Sequence, residues 1–332
     1  MKHPKYSVIV PVFNRPDEVD DLLKSLAAQK EQNFEVIIVE DGSTIPCNEI
    51  VNRYNSLLNI TYYSKPNSGP GTTRNYGAQR ANGDFFIFFD SDCIIPPEYF
   101  CEVESELKGN PVDAFGGPDR AHTSFTPIQK AIGYSMTSFF TTGGIRGGKE
   151  RLDKFYPRSF NMGISKEVFE KTGGFSKMRF GEDIDFSLRI LEAGFTTRLF
   201  SKAFVFHKRR TNFRQFYKQV FNSGIARINL YLLHPKSLKI VHLLPSVFAV
   251  GMTMVVIAAL FLPLLILIPL LYCFLVFFHS LVANKSIGVA ALSIAAAWIQ
   301  LFGYGLGFIK AIWLRLILNK GEFKAFDKTF YK

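Results

Sequence analysis

Asp84-Phe85-Phe86-Ile87-Phe88-Phe89-Asp90-Ser91-Asp92 is the stretch on which the reading of this 332-residue chain turns. Its apolar run is too short for a helix and shows no alternation. It predicts a strand buried on both faces, as in a parallel sheet. The strand delivers two carboxylates one residue apart to its end. Alone they repel, and a divalent cation between them and a diphosphate relieves the repulsion. Hard oxygen ligands suit Mg2+ or Mn2+. Surface turns also produce Asp-x-Asp, so the position at a buried strand end carries the weight.

Working outward, residues 6–12, 34–39 and 60–63 read as further strands. Residues 16–29, 48–56 and 71–80 read as helices. Val19, Leu22, Leu23 and Leu26 have helical spacing. Pro16 suits a first helical turn, and Asp17 and Glu18 suit its positive end. Strand and helix alternate with short connections, which predicts an α/β fold with a mostly parallel central sheet. In such sheets ligands bind at the carboxyl ends of the strands. Polar clusters fall at three such ends: 11–14, 40–43 and 90–92. Farther on, residues 158–164 and 203–206 read as strands, and 166–171 and 182–193 as helices. The glycine-rich stretch 143–148 reads as a flexible loop.

Charge divides the chain. Residues 1–192 carry 22 Lys/Arg against 26 Asp/Glu, whereas residues 193–321 carry 14 Lys/Arg and no acid. The basic stretch 198–239 runs into 44 residues, 240–283, with no Lys, Arg, Asp or Glu. That is about twice the ~20 residues of one helical span. Basic residues beside such a run fit a cytoplasmic flank on anionic lipid, so nucleic acid is not an expected partner. Residues 240–283 read as two spans with Pro263 or Pro269 near the turn, and 287–309 as a third. Gly303, Gly305 and Gly307 can instead permit close helix packing. Three spans would place the tail outside, yet residues 310–332 hold six Lys/Arg. A re-entrant or interfacial third segment would remove that conflict with the positive-inside tendency. Residues 213–227 read as a basic amphipathic helix, either interfacial or packed on the catalytic domain. The N-terminus enters a strand directly with no secretory leader, so the catalytic half is expected in the cytoplasm. Cys47, Cys93, Cys101 and Cys273 form no CxxC pair and read as ordinary thiols.

Several polar groups gather around the strand ends. Glu40-Asp41-Gly42-Ser43 is either a turn with a helix cap or a recognition edge for a base or ribose. Pro11, Phe13 and Asn14 are either a strand end or a seat for the base. Gly71 allows close backbone approach at a helix N-terminus, and Arg74, one turn in, can reach a phosphate or a site carboxylate. Asn75 follows it. Glu182, Asp183 and Asp185 put three acids in four residues at a helix start, more than capping requires. A carboxylate there can serve as general base for a sugar hydroxyl. His207 is either a satisfied histidine or a contact to metal or diphosphate.

The ordered set Val10-Pro11-Val12-Phe13-Asn14, Glu40-Asp41-Gly42-Ser43, Gly71-Thr72-Thr73-Arg74-Asn75, Asp90-Ser91-Asp92, Gly173-Gly174-Phe175 and Glu182-Asp183-Ile184-Asp185 resembles the family 2 glycosyltransferases over residues 5–210. The resemblance implies a GT-A fold, a nucleoside-diphosphate-sugar donor (a UDP-sugar favoured), a divalent cation (Mn2+ or Mg2+) and inversion at the anomeric carbon. It implies a base-binding edge of Pro11, Phe13, Asn14 and Asp41 with Glu40 beside it. Gly71, Arg74, Asn75, Asp90 and Ser91 would lie on the donor. Asp92 would be the direct metal ligand, supported by Asp90 and His207. Asp183 would be the catalytic base, with Glu182 and Asp185 in support. Thr72-Thr73 replaces the alanine many members carry. The lack of a Gln-x-x-Arg-Trp motif counts against a processive synthase.

The expected organisation is a catalytic domain at 1–210, an interfacial region at 211–239, a transmembrane region at 240–309 and a basic tail at 310–332. The expected enzyme transfers a sugar to a lipid-linked glycan in surface polysaccharide assembly. It would be a multi-pass protein of the inner (cytoplasmic) membrane. Its rivals are a sugar-nucleotide pyrophosphorylase and a non-catalytic membrane-bound scaffold. The pyrophosphorylase would need a basic glycine-rich phosphate loop near the N-terminus, which residues 10–14 lack.

Overall fold

Residues 85–89 form the middle strand of a seven-stranded sheet, as their two-sided apolarity requires. The computed structural model describes residues 5–120, 122, 124–142, 155–178, 180–208 and 211–321. In chain order the elements are β1 (Tyr6–Val12), α1 (Pro16–Ala27), β2 (Phe34–Asp41), α2 (Asn48–Arg53), β3 (Ile60–Lys65), α3 (Pro70–Ala78), β4 (Phe85–Phe89), β5 (Cys93–Ile94), α4 (Tyr99–Gly109), β6 (Ala114–Gly116), β7 (Asp119–Arg120), α5 (Pro127–Thr137), α6 (Phe139–Thr142), β8 (Asn161–Ser165), α7 (Lys166–Thr172), α8 (Glu182–Glu192), β9 (Thr197–Leu199), β10 (Val205–His207), α9 (Phe213–Leu233), α10 (Leu244–Ala258), α11 (Leu267–Asn284) and α12 (Ile287–Ala311). They fall into two units, one from residues 1–120 and 150–207, the other from 121–149 and 208–323.

In the first unit the strand order is β3-β2-β1-β4-β8-β6-β9. β1 to β4 are parallel, β8 runs antiparallel to β4 and β6, and β9 is parallel to β6. Both faces are covered. Val8 and Val10 of β1 pack with Val19, Leu22, Leu23 and Leu26 of α1. Ile9 turns the other way, toward Phe86, Phe88, Val168 of α7 and Phe186 and Ile190 of α8. Burying each such aliphatic side chain contributes about 1.5–3 kcal/mol. β5, β10 and β7 make a separate three-stranded sheet. Of that sheet only β10 was expected, from residues 203–206; β5, β7, β6 and β9 were not, because two- and three-residue strands carry no periodicity, and α4 was not singled out either.

In the second unit α9 lays its apolar face on α12 and α5, with Phe216 and Val220 buried beside Ala131, Ile132, Val289 and Ala296. Its expected apolar stripe is thus covered by neighbouring helices of its own unit. Residues 127–142, inside the expected 1–210 domain, pack here as well. The three glycines allow the close approach expected of them. A Cβ at Gly307 would lie 2.0 Å from Phe221 O, and one at Gly305 would lie 2.6 Å from Pro245 O. Two stretches are long and apolar enough to cross a membrane, Pro263–Asn284 and Ile287–Ile317. α10 has 15 residues, about 22 Å of helix, short of the ~30 Å hydrocarbon core. The break falls at residues 259–262, just before Pro263. Leu260 and Phe261 are 79% and 82% exposed there. The 143–148 loop and residues 322–332 of the basic tail lie outside the described residues.

Candidate active site

β4 ends at Phe89, and the chain turns through Asp90, Ser91 and Asp92 before re-entering as β5. β5 pairs antiparallel with β10, setting Cys93 opposite His207. This pairing brings a residue distant in sequence onto the Asp-x-Asp turn. His207 Nε2 lies 3.0 Å from Asp92 Oδ1 and 3.8 Å from Asp90 Oδ2. The Phe160 ring stacks on the imidazole with centroids 5.0 Å apart.

Two guanidinium groups also meet these two acids. Arg15 Nη1 donates to Asp92 Oδ2 at 2.7 Å. Arg74 Nη2 donates to Asp90 Oδ1 at 2.6 Å, and its Nη1 reaches Glu182 Oε1 at 3.3 Å. Arg74 is buried and stacks over Phe175, and its Nε has no hydrogen-bond partner among the described residues. α3 can place it there because a Cβ at Gly71 would already touch Ser176 O, Phe175 and Glu182. Asn75, one residue on, is a strut. Its Nδ2 donates to Phe175 O at 2.7 Å, and its Oδ1 accepts from Phe175 N at 2.8 Å.

The α8 start continues this network. Asp183 is buried, accepts from Arg158 Nε at 2.5 Å through Oδ2, and accepts from Ile184 N–H at 2.8 Å through Oδ1. Burial alone would raise its pKa, but the Arg158 guanidinium outweighs burial and holds it below the ordinary carboxylate value. Glu182 goes the other way. Burial, then the neighbouring Asp183 charge, push it up to about 7 against the pull of Arg74. Asp185 pairs with Arg189, which also donates to the carbonyls of Thr172 and Gly174. It braces the α7–α8 connection and belongs to the scaffold of the site.

The acids at the end of β2 are occupied differently. Both are about 1% exposed. Glu40 accepts from the Ser43 hydroxyl, Cys47 N–H, the Cys47 thiol and the Tyr62 hydroxyl. Asp41 accepts from Ser68 N–H at 2.8 Å, Gly69 N–H at 2.9 Å and the Lys65 ammonium. Asn14 sits at φ 52°, and its Oδ1 accepts from the N–H groups of Thr44 and Ile45. Glu40, Asp41 and Asn14 therefore shape the loops 43–47 and 65–69. Pro11 and Phe13 lie half-buried beside them at the β1 end, and Ser91 is buried.

The residues fit a divalent cation. Ligand atoms of Asp92, Cys93 and His207 lie within 4.8 Å of one another, and Cys93 Sγ is turned to Phe160 O. Two hard carboxylates and an imidazole remain, a donor set suited to Mn2+ or Mg2+. Arg15 and Arg158 were not singled out from sequence. Arg15 directly follows the 11–14 cluster, which was a usable signal, whereas Arg158 has only its place at the start of a predicted strand.

A family model described as Glycosyl transferase family 2 matches residues 7–173, half of the chain. An uncharacterized glycosyltransferase of Rickettsia felis is 34% identical over 143 residues, 42% of this chain and 23% of that protein. The match thus spans under a quarter of that relative. The mannosyltransferase PcManGT from Pyrobaculum calidifontis, solved with GDP-Man and Mn2+, superposes with TM-score 0.63 at 17% identity, covering 91% of this chain and 88% of that one. Staphylococcus aureus TarS 1–349, solved with UDP-GlcNAc, gives TM-score 0.51 at 19% identity over 95% and 92%.

Proposed function

The chain belongs to glycosyl transferase family 2 and is a glycosyltransferase of GT-A fold; from that premise we propose that it moves a sugar, with inversion, from a nucleoside-diphosphate sugar to a hydroxyl of a lipid-linked glycan at the cytoplasmic face of a membrane. The observation that carries this reading is the line of contacts Asp92–His207–Asp90–Arg74–Glu182, continued through the next residue of the chain by the pair Asp183–Arg158. It joins a cation site to a candidate base at one edge of the sheet, and it is what a scaffold without chemistry does not need. Membership of the family sets aside the pyrophosphorylase.

Asp183 accepts the proton of the acceptor hydroxyl. The acceptor oxygen bonds to the anomeric carbon as the bond from that carbon to the diphosphate oxygen breaks, and the electron pair leaves on the diphosphate. Arg158 keeps Asp183 ionised and oriented. Arg74 offers guanidinium donors to the leaving group. Asp92, with Asp90 and His207, would hold a divalent cation, which supplies positive charge for the diphosphate when bound. Pro11 and Phe13 would seat the base, with Asn14, Glu40 and Asp41 shaping its loops and Gly71 and Ser91 lining the donor. A nucleotide-sugar donor is supported by PcManGT and TarS, whose structures hold GDP-Man and UDP-GlcNAc. The UDP-sugar choice rests on the sequence resemblance alone.

The acceptor reading is supported by the two long apolar stretches and by the acid-free basic run 193–321. Its membrane placement follows from the same features. The test is Asp183→Asn in a donor screen with membrane extracts as acceptor. Transfer should fall by about 10³-fold, within the range for losing a general base, while nucleotide affinity stays within about twofold. Wild-type turnover by the variant would overturn the base assignment, and a water-soluble product would overturn the lipid acceptor.

A further inference from the structure

Arg15 breaks a local rule. It stands at the N-cap of α1, where Ser, Thr, Asp or Asn is preferred, and it makes no capping hydrogen bond. Its cation also lies at the positive end of the helix dipole, an unfavourable place for it. The helix is otherwise built for a negative neighbour, with Asp17 and Glu18 in its first turn. Arg15 therefore contributes nothing to α1 as a cap. Its side chain instead crosses to Asp92, Nη1 to Oδ2 at 2.7 Å, with Glu18 only a loose second partner at 3.8 Å. Asp92 is the more buried of the two, with its side chain 11% exposed against 34% for Arg15. The backbone on the N-terminal side of Arg15 is pinned, because Asn14 is clamped to residues 43–45. Arg15 thus stands between the edge proposed for the base and the carboxylate proposed for the cation.

We propose that Arg15 is a resident counter-ion of Asp92 that yields its place when a divalent cation and a nucleoside diphosphate bind together, its guanidinium passing from the carboxylate to the diphosphate. This inference rests on the reading of Asp92 as the cation ligand. Both oxygens of Asp92 are met by side chains, the Arg15 guanidinium on Oδ2 and the His207 imidazole on Oδ1, so a metal ion arriving alone must displace the charge-assisted Arg15 contact to gain the Oδ2 ligand. A diphosphate provides a new partner for the displaced guanidinium, which forms a bidentate fork suited to phosphate oxygens. Cation and nucleotide then strengthen each other's binding, and the coupling is reciprocal. Arg15 is a positioning residue in this scheme, acting through Asp92 and the diphosphate.

The test uses the full chain in detergent and follows free Mn2+ by electron paramagnetic resonance, alone and with UDP or GDP added. For Arg15→Ala the affinity for Mn2+ alone should rise about tenfold, the size expected from losing a competing charge-assisted contact. The strengthening that UDP or GDP confers on Mn2+ binding should shrink by about the same factor. Arg15→Gln, closer in shape, should repeat both changes and serves if the alanine variant does not fold. If both variants bind Mn2+ within twofold of wild type while Asp92→Asn abolishes binding, Arg15 is an ordinary structural ion pair and the proposal falls. If Asp92→Asn leaves Mn2+ binding intact, the cation assignment itself falls.

Discussion

Two neighbouring strands, β2 and β4, lie either side of β1 and both end in acid pairs, yet the structure treats the pairs in opposite ways. Glu40 and Asp41 are sealed inside, held mostly by backbone N–H, hydroxyl and thiol donors of the adjoining loops and β3, with the Lys65 ammonium the one cation among them. Asp90 and Asp92 are held by Arg15, Arg74 and His207, side chains that reach in from other elements. A carboxylate bonded to fixed N–H groups is part of the architecture, because releasing it unmakes a loop. A carboxylate bonded to side chains that reach in from other elements can exchange one partner for another without unmaking its own loop. On the proposed reading the β4 pair is the one that would meet a metal ion and a diphosphate, while the β2 pair shapes the neighbouring loops.

Removing the cation that ties the β4 pair to the base should give the largest effect. Arg74 is buried and bridges Asp90 to Glu182. Arg74→Ala leaves two acids facing each other, and because Asp90 is 31% exposed the cost should fall below the ~3–5 kcal/mol of breaking a fully buried pair. Transfer by the folded fraction should drop by at least about 10²-fold, the scale of losing a donor to a leaving oxyanion. A kcat/KM and unfolding measurement on the same preparation checks both. An active, unfolded-prone variant would break the contrast, since Arg74 would then be architecture like Glu40.

The converse change should separate stability from chemistry. Glu40→Ala strands the Cys47 N–H and the hydroxyls of Ser43 and Tyr62. Unsatisfied buried groups cost about 1–3 kcal/mol each, partly relieved by water. The unfolding midpoint should fall, while Mn2+ affinity and turnover per folded molecule stay within about threefold. Loss of Mn2+ binding at unchanged stability would place Glu40 in the site proper.

Much of this contrast was legible in the sequence, and its limits are physical. The strand 85–89, the helix at Pro16 and the acids at three strand ends follow from period and turn chemistry, which are local. The Asp90–Arg74 pair was also within reach, because both residues flank the same sheet edge. What sequence could not distinguish was which acids were architectural, since Glu40-Asp41 and Asp90-Ser91-Asp92 look alike until their partners are known. Those partners come from folding back. Arg158 reaches Asp183 from the segment just before β8, and His207 reaches Asp92 only through a three-residue strand. In the helical unit, Gly303, Gly305 and Gly307 were readable as a packing surface, but which helix each would meet was not.

The smallest expected effect sharpens the comparison within a single turn of helix. Glu182 and Asp183 are adjacent and largely shielded, yet shift in opposite directions, because burial and the Asp183 charge dominate at Glu182 whereas at Asp183 burial is outweighed by Arg158 together with Arg74 and the Ile184 N–H. The signs give two separate pH windows. With Glu182 raised to about 7 from 4.5, the folded chain keeps a proton that the unfolded chain has released. Its stabilising contribution is full below pH 4.5, declines as pH rises, and is gone above about 7. With Asp183 lowered from 3.8, its contribution is present above that value and is lost as pH falls through the lower folded pKa. Glu182→Gln should therefore flatten the fall in the unfolding midpoint between pH 4.5 and 7 and leave the acid limb unchanged. Asp183→Asn should act on the acid limb, and by removing the charge beside Glu182 it should also move the upper window to lower pH. Unfolding midpoints of the three proteins from pH 3 to 8 decide the matter. If Glu182→Gln changes only the acid limb, Glu182 is ionised with Asp183 throughout, and Arg74, like the N–H groups around Asp41, holds its carboxylate without exchange.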